Sequence, residues 1–491
     1  MIDRLRLWII PLVWAFGSSE CAVGQNGEVG SLWVDNVRGS DNHPGSEEKP
    51  FLSIARGLEQ IKPGMTLHVL PTAKPYTSDI RIEVSGTAAE PIVVDGHGSL
   101  VSGRCRLPPD VWTCEGGGVY SRPLPNNAWG MYNHWEGGFP LVWFNDAPGR
   151  NVTTRDALEP LCFFLYKNRK KQKTDPLHNT LYIRLPEGKT LDEINVESIA
   201  GGGGIFVGGN HVTVRNFTCE YGGRDAFATH RNKGVVFENI EGRYFMDQGM
   251  SHHGAEITVR NAHFHHNAGC GVVDVYPEVK VRYENCLIEH DTWRGGVEFH
   301  SGQFEMVNCV ISANPKKALT VTKGARAVLR NCLLIAPTTG EAEGSIVSDE
   351  SSLALEDCTL YGFTTGLRAV ITAKTRLTIR RCAILRCGTN LRYVLHQDVD
   401  DPELDPAAAI HAEGNVYEPA PFDVLSGVRK AKDAAWKASE RRFAADDHAG
   451  FAQRIGSDRD ATVRAVVDIE SRSLSSTIAS LPGLNAGASL Q

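Results

Sequence analysis

The sequence predicts an all-β solenoid, a right-handed single-stranded parallel β-helix with an N-terminal capping helix, a small β insertion and a C-terminal cap. Three observations predict it: a repeat of about 23 residues, apolar–polar alternation inside each repeat, and cysteines recurring at one place in it. "HVTVRNFTCEY", "ITVRNAHFHHN" and "LALEDCTLYGF" exemplify the repeat, whose landmarks are Asn216, Asn239, Asn261, Asn285, Asn308, Asn331, Asp357 and Arg381. The steps between them are 23, 22, 24, 23, 23, 26 and 24 residues, with period 2 and no helical periodicity, so each repeat is one coil that cannot bury its apolar face alone. Length alone suggests about three domains at typical size. The repetition overrides that count.

The chain begins with a basic stretch, Met1 to Arg6, and an apolar run from Leu7 to Phe16 that suits a secretory h-region and is too short to span a bilayer. Small residues near Ala22 and Gly24 suit cleavage, so residues 1–24 read as a signal peptide and the protein as secreted or periplasmic. Glu20 before Cys21 argues against a lipidation signal. A formal net charge of -7 and 42% hydrophobic residues describe an ordinary soluble composition and argue against nucleic acid as the main partner. No glycine-rich loop opens a helix, and no zinc Cys pair pattern or nucleophile elbow occurs.

Residues 31–400 are assigned to the β-helix, with regular coils over about 198–395 and an insertion over about 104–197. The insertion holds Trp112, Trp129, Trp135 and Trp143, four of the nine tryptophans. Trp135 is a candidate sugar-stacking residue, weighed against burial as the commoner fate of indole. Cys286, Cys309, Cys332, Cys358 and Cys382 each follow a landmark and are expected to stack inward as free, buried thiols. Cys105 and Cys114 are the expected disulfide. Residues 401–491 are expected to cap the last coils, with "VRKAKDAAWKASERRFAA" helix-like and an uncharged, mobile end from Ser473 to Gln491.

The segment "LWVDNVRGSDNHPGSEEKPFLSIARGLEQIKPGMTLHVLP" resembles the opening of secreted right-handed β-helix proteins, the superfamily of pectate lyases, alginate lyases and related polysaccharide enzymes. The resemblance covers roughly residues 31–400, makes "KPFLSIARGL" the capping helix, and implies a polysaccharide partner.

Candidate site residues come from the second strand of each coil. Aligned by apolar residues, Phe227, Met250, Val273, Val297 and Leu319 point inward, as do Thr229, His252, Val275, Phe299 and Val321. The outward columns are then Ala228, Ser251, Asp274, Glu298 and Thr320, and beside them His230, His253, Tyr276, His300 and Thr322. His252 reads as a hydrogen-bonded core histidine. His253, Tyr276, His230 and His300 read as proton-transfer residues. Asp225 and Asp247 precede the column, Arg294 and Lys317 lie at comparable places on later coils, and Lys316 is the other cation on the strip. Eight of the seventeen histidines fall within residues 230–300.

An open strip of this kind suits a linear polymer lying across the coils. Elimination on a uronate chain needs a base, an acid and a neutraliser of the carboxylate, for which His253, Tyr276 and Arg294 are candidates. Ca²⁺ held by Asp225, Asp247 and Asp274 is the other possible neutraliser. Asp274, Glu298, Lys317 and Trp135 are candidate substrate-binding residues. Lyase chemistry is favoured; a glycoside hydrolase using Asp225 with Asp247 is the alternative, and a non-catalytic carbohydrate-binding or surface-structural protein is the third reading. The solenoid is expected to be monomeric.

Overall fold

A computed structural model describes residues 30–124, 135, 137–168, 179–199, 202–292, 294–337, 341–397, 405–428, 438–444, 446–455, 457–458 and 460–463. The expected signal peptide and the end from Ser473 to Gln491 lie outside these residues.

Each regular coil carries one long strand bent into two arms and one strand of a second sheet. In the coil after Val279, the arms are Lys280–Glu284 and Leu287–Glu289, and the second strand is Gly295–His300. The bend falls on the sequence landmark. Asn216, Asn239, Asn261, Asn285, Asn308 and Asn331 all have φ between 51° and 58°, the left-handed conformation that asparagine tolerates best among residues with a side chain. Their side chains form a ladder: Nδ2 of Asn239, Asn261, Asn285, Asn308 and Asn331 donates to Oδ1 of the landmark one coil earlier at 2.8–3.2 Å. Asp95 starts the ladder by accepting from Asn216 at 2.8 Å, and a bidentate Arg381–Asp357 pair continues it.

The interior is filled from both sheets. Phe227, Phe237, Phe264, Tyr283 and Phe299 are fully buried in one continuous core, each burial worth roughly 1.5–3 kcal/mol. The five ladder cysteines are buried and unpaired, and each thiol reaches a backbone carbonyl of the preceding coil, as Cys309 Sγ does to Tyr283 O at 3.7 Å. At the N-terminal end, the Ser53 hydroxyl caps helix Ile54–Gln60 by accepting from Arg56 N, and the helix buries Ile54 and Leu58 over the first coil.

The insertion is a separate β module of two sheets with its own core. That core extends onto Met246 and Ala268, so the module rests on the corner between the two sheets. Cys105 and Cys114 are not joined; they sit on strands Arg104–Arg106 and Thr113–Gly116, which belong to different sheets. At the C-terminal end, strand Phe422–Val428 adds in parallel to the second sheet and is then covered antiparallel by Ala438–Phe443. The helix expected there is therefore a strand over its described part, because an open sheet edge offers backbone pairing that outweighs local helical propensity. Helix His448–Ile455 closes the end by packing Phe451 against Tyr393, Phe422 and Phe443.

Asn308→Ala removes two amide contacts and places alanine at φ 55°, at a cost of about 2 kcal/mol. Urea denaturation is expected to show a lower midpoint at unchanged slope. Asn308→Asp should retain more stability than Asn308→Ala.

Candidate functional site

The second sheet fixes which side chains share a column. Strand Phe227–His230 pairs with Met250–His253, so Ala228, Thr229 and His230 lie against Ser251, His252 and His253. The next pairing sets Met250 against Val272 and His253 against Val275, a step of 22 residues where the apolar alignment predicts 23. Asp274 therefore stacks on His252, inside the helix. It is fully buried and accepts a hydrogen bond from Tyr283 Oη at 2.6 Å. This corrects its placement among the substrate-binding and Ca²⁺-binding residues. With Asp274 inside, the three aspartates do not form one ligand set, and the residues do not fit the Ca²⁺ site expected from sequence.

The outward column next to it is His230, His253, Val275, His300 and Thr322. Val275 takes the place expected for Tyr276, which follows at φ 86° and is 45% exposed. Tyr276 still meets His253 edge-on, with ring centroids 5.5 Å apart, and His230 flanks the other side at 6.1 Å. Ser251 Oγ lies 3.1 Å from His253 Nε2. Burial, then the neighbouring His230 and Arg224, holds the His253 imidazole below its ordinary pKa and favours the neutral base.

Asp225 and Asp247 occupy the corner just before these strands, on adjacent coils. Gln248 ties them together: its backbone N–H donates to Asp225 Oδ1 at 3.3 Å and its side-chain amide to Asp247 Oδ1. Burial, then repulsion from Asp247, raises the Asp225 carboxyl well above the usual carboxylate range, so it keeps its proton near neutrality. Arg224, one residue earlier and exposed, acts electrostatically on both Asp225 and His253. The sequence pattern does not single it out; its place directly before Asp225 was the available signal.

Glu298 anchors the later coils. Lys317 Nζ lies 2.8 Å from it, His300 Nε2 3.3 Å and Arg294 Nη1 3.6 Å. Burial raises the carboxyl, but His300 and Lys317 outweigh it and hold Glu298 at about 2. Glu298, His300, Lys317 and Arg294 thus form a knot of one carboxylate and two cations beside the His253 group. Trp135 is elsewhere: it is buried in the insertion's core, its indole N–H donates to Phe139 O at 2.9 Å, and its ring meets Phe163. That corrects its candidacy for sugar stacking. The insertion does border the corner, since Met246, directly before Asp247, packs into the module's core.

The buried His252 and Asp274 give a pH signature. Burial pushes His252 down to about 3 and Asp274 up to about 8. His252 costs stability as pH falls from about 6.5 toward 3, because only the unfolded state takes the proton there. Asp274 costs stability as pH rises from about 4 to 8, because only the unfolded state releases its proton there. Between about pH 6.5 and 8 the Asp274 slope is unopposed by His252, and its share is up to ~1.4 kcal/mol per pH unit. Chemical denaturation across this window is expected to show a shallower decline in Asp274→Asn than in the natural protein.

Residues 178–334 match the family model described as "Right handed beta helix region". Comparison with curated proteins gives no match. Among solved structures, similar chains include one described as the complex of XylC with xylose (14% identity, 83% of this chain and 71% of that one, TM-score 0.46). Another is described as a glycoside hydrolase (12%, 79% and 96%, 0.43), and a third as pectate lyase Pel9A (11%, 82% and 78%, 0.38). Likeness at this level leaves the reaction to be read from the residues. No helix among the described residues is long and apolar enough to cross a membrane. The stacked coils and the matched segment show that the chain has the right-handed parallel β-helix fold.

Proposed function

We propose that the protein is a carbohydrate-active enzyme that cleaves a glycosidic bond of a polysaccharide laid across the corner between Asp225 and His253. The observation carrying this reading is the pair of aspartates on adjacent coils, bridged by Gln248, where burial and the neighbouring Asp247 raise the Asp225 carboxyl. Glycoside hydrolysis asks for such a division of labour. Asp225 donates its proton to the leaving glycosidic oxygen, while Asp247 attacks the anomeric carbon; water, deprotonated by Asp225 in its second role, then releases the sugar. The adjacent-coil spacing of about 4.8 Å suits the short separation of a retaining pair better than the longer inverting one. Arg224, exposed at the same corner, favours an acidic sugar.

β-Elimination is the second reading, favoured by His253. A neutral imidazole flanked by Tyr276 and near Arg224 supplies a base for the C5 proton, a phenol for the leaving oxygen and a cation for the uronate. The two readings divide at the product.

Purified protein acting on a panel of neutral and uronate-containing polysaccharides is to be followed by reducing-end assay and ultraviolet absorbance together. Hydrolysis predicts new reducing ends without an unsaturated product, a loss of about 10²–10⁴-fold in Asp225→Asn or Asp247→Asn, and a rate that falls as pH rises through the raised Asp225 pKa. Rising absorbance abolished by His253→Ala would instead establish elimination. No cleavage of any member would leave the carbohydrate-binding reading standing.

A further inference from the structure

A second group of titratable side chains lies on the outer face of the second arms, across the corner from the aspartate pair. Glu241 lies on strand Lys233–Arg243, His263 and His265 on Glu256–His265, and Glu289 on Leu287–Glu289, so the group spans three successive coils. Alternation turns these residues outward while Ile240, Ala262, Phe264 and Ile288 fill the core. The His263 and His265 rings stack with centroids 4.1 Å apart.

Contacts run along the diagonals of the register. His265 Nε2 is 3.0 Å from Glu241 Oε1, and His263 Nε2 is 3.1 Å from Glu289 Oε1. The other oxygen of each carboxylate is held by a hydroxyl: Thr218 donates to Glu241 Oε2 and Ser312 to Glu289 Oε2, both at 3.1 Å. Arg243 also donates to Glu241 Oε1 at 2.8 Å, and His266 Nδ1 lies 2.7 Å from His265 Nδ1. One ligand atom from each of Glu241, His263 and His265 lies within 4.8 Å of the others. Tetrahedral Zn²⁺ with bonds of about 2.0–2.2 Å sets its ligand atoms about 3.3 Å apart, so the side chains would draw in around the ion and exchange their present hydrogen bonds for metal bonds. Paired imidazoles with carboxylates suit Zn²⁺ better than Ca²⁺ or Mg²⁺, and hydroxyls fixing the outer carboxylate oxygens are the support a metal site uses.

We propose that Glu241, His263 and His265 bind one Zn²⁺, and that Glu289, 3.1 Å from His263 Nε2, moves in to complete the set and clips three coils together. The clip sits beneath the insertion's foothold: Tyr244 packs against His265 and His266 and stacks on Tyr221, which meets Trp143 of the module edge-on. A fourth protein ligand makes the site structural, so its metal is independent of the cleavage reaction.

The test uses the full chain, stripped with a chelator and titrated with ZnCl₂ by calorimetry and with Co²⁺ by visible absorption. One equivalent of Zn²⁺, a rise in melting temperature and a tetrahedral Co²⁺ spectrum are expected, with affinity at least tenfold weaker in His263→Ala and His265→Ala and unchanged in the variant His411→Ala, on strand Ile410–Glu413 outside the group. Glu241→Gln and Glu289→Gln preserve side-chain shape and carry the test if the histidine variants fail to fold. Absence of saturable Zn²⁺ binding by the natural protein, or binding undiminished in all four ligand variants, would overturn the proposal and leave a hydrogen-bonded His–Glu ladder.

Discussion

The amide ladder at the left-handed bend is the interaction on which the rest of the structure depends. Each landmark asparagine adopts φ near 50°, a conformation that costs most side-bearing residues about 1–2 kcal/mol, and recovers stability by bonding to the coil before it. Because that bend recurs at one place in every coil, the two arms keep one register from Asp95 to Asp357. Register then decides face: a slip of one residue would turn every side chain over. The cysteines that follow the bend, and the aromatic residues that fill the interior, are consequences of that fixed phase.

Against that frame the polar interior of the second sheet is an exception. Thr229, His252 and Asp274 stack inward on three successive strands, and Nε2 of His252 and Oδ1 of Asp274 have no hydrogen-bond partner among the described residues. Such groups are costly, and they lie directly under Ser251 and His253 on the outer face. The coils that carry the candidate chemistry thus hold buried polar groups inside as well as outside. The aspartate pair is arranged similarly: burial and mutual repulsion keep one proton between two carboxyls, where two exposed carboxylates would both ionise.

How much was legible follows from which residues carry unique demands. Asparagine at the bend is readable because few residues accept the left-handed conformation, and the cysteines because a small, soft side chain fits an inward ladder. The inward fate of His252 was readable by alternation from Met250. Asp274 was not, since a carboxylate is assigned outward by default and nothing local marks the 22-residue step that turns it in. Tyr276 was misplaced by the same slip, with Val275 taking the column. Trp135 and Cys105 depend on the insertion's own packing, which has no repeat to read. The ligand group around His263 and His265 was present in the sequence only as a density of histidines; their convergence with Glu241 and Glu289 exists across coils, not along the chain.

Cleavage by the aspartate pair requires that Asp225 carry a proton beside Asp247 at neutral pH. Infrared difference spectroscopy at pH 7, natural protein minus Asp225→Asn, tests it directly. A protonated Asp225 gives a carboxyl C=O band that is lost in the variant and is replaced by a carboxylate band in the natural protein only at alkaline pH. A difference spectrum showing only a carboxylate band would mean Asp225 is ionised at rest, and would contradict its role as the acid.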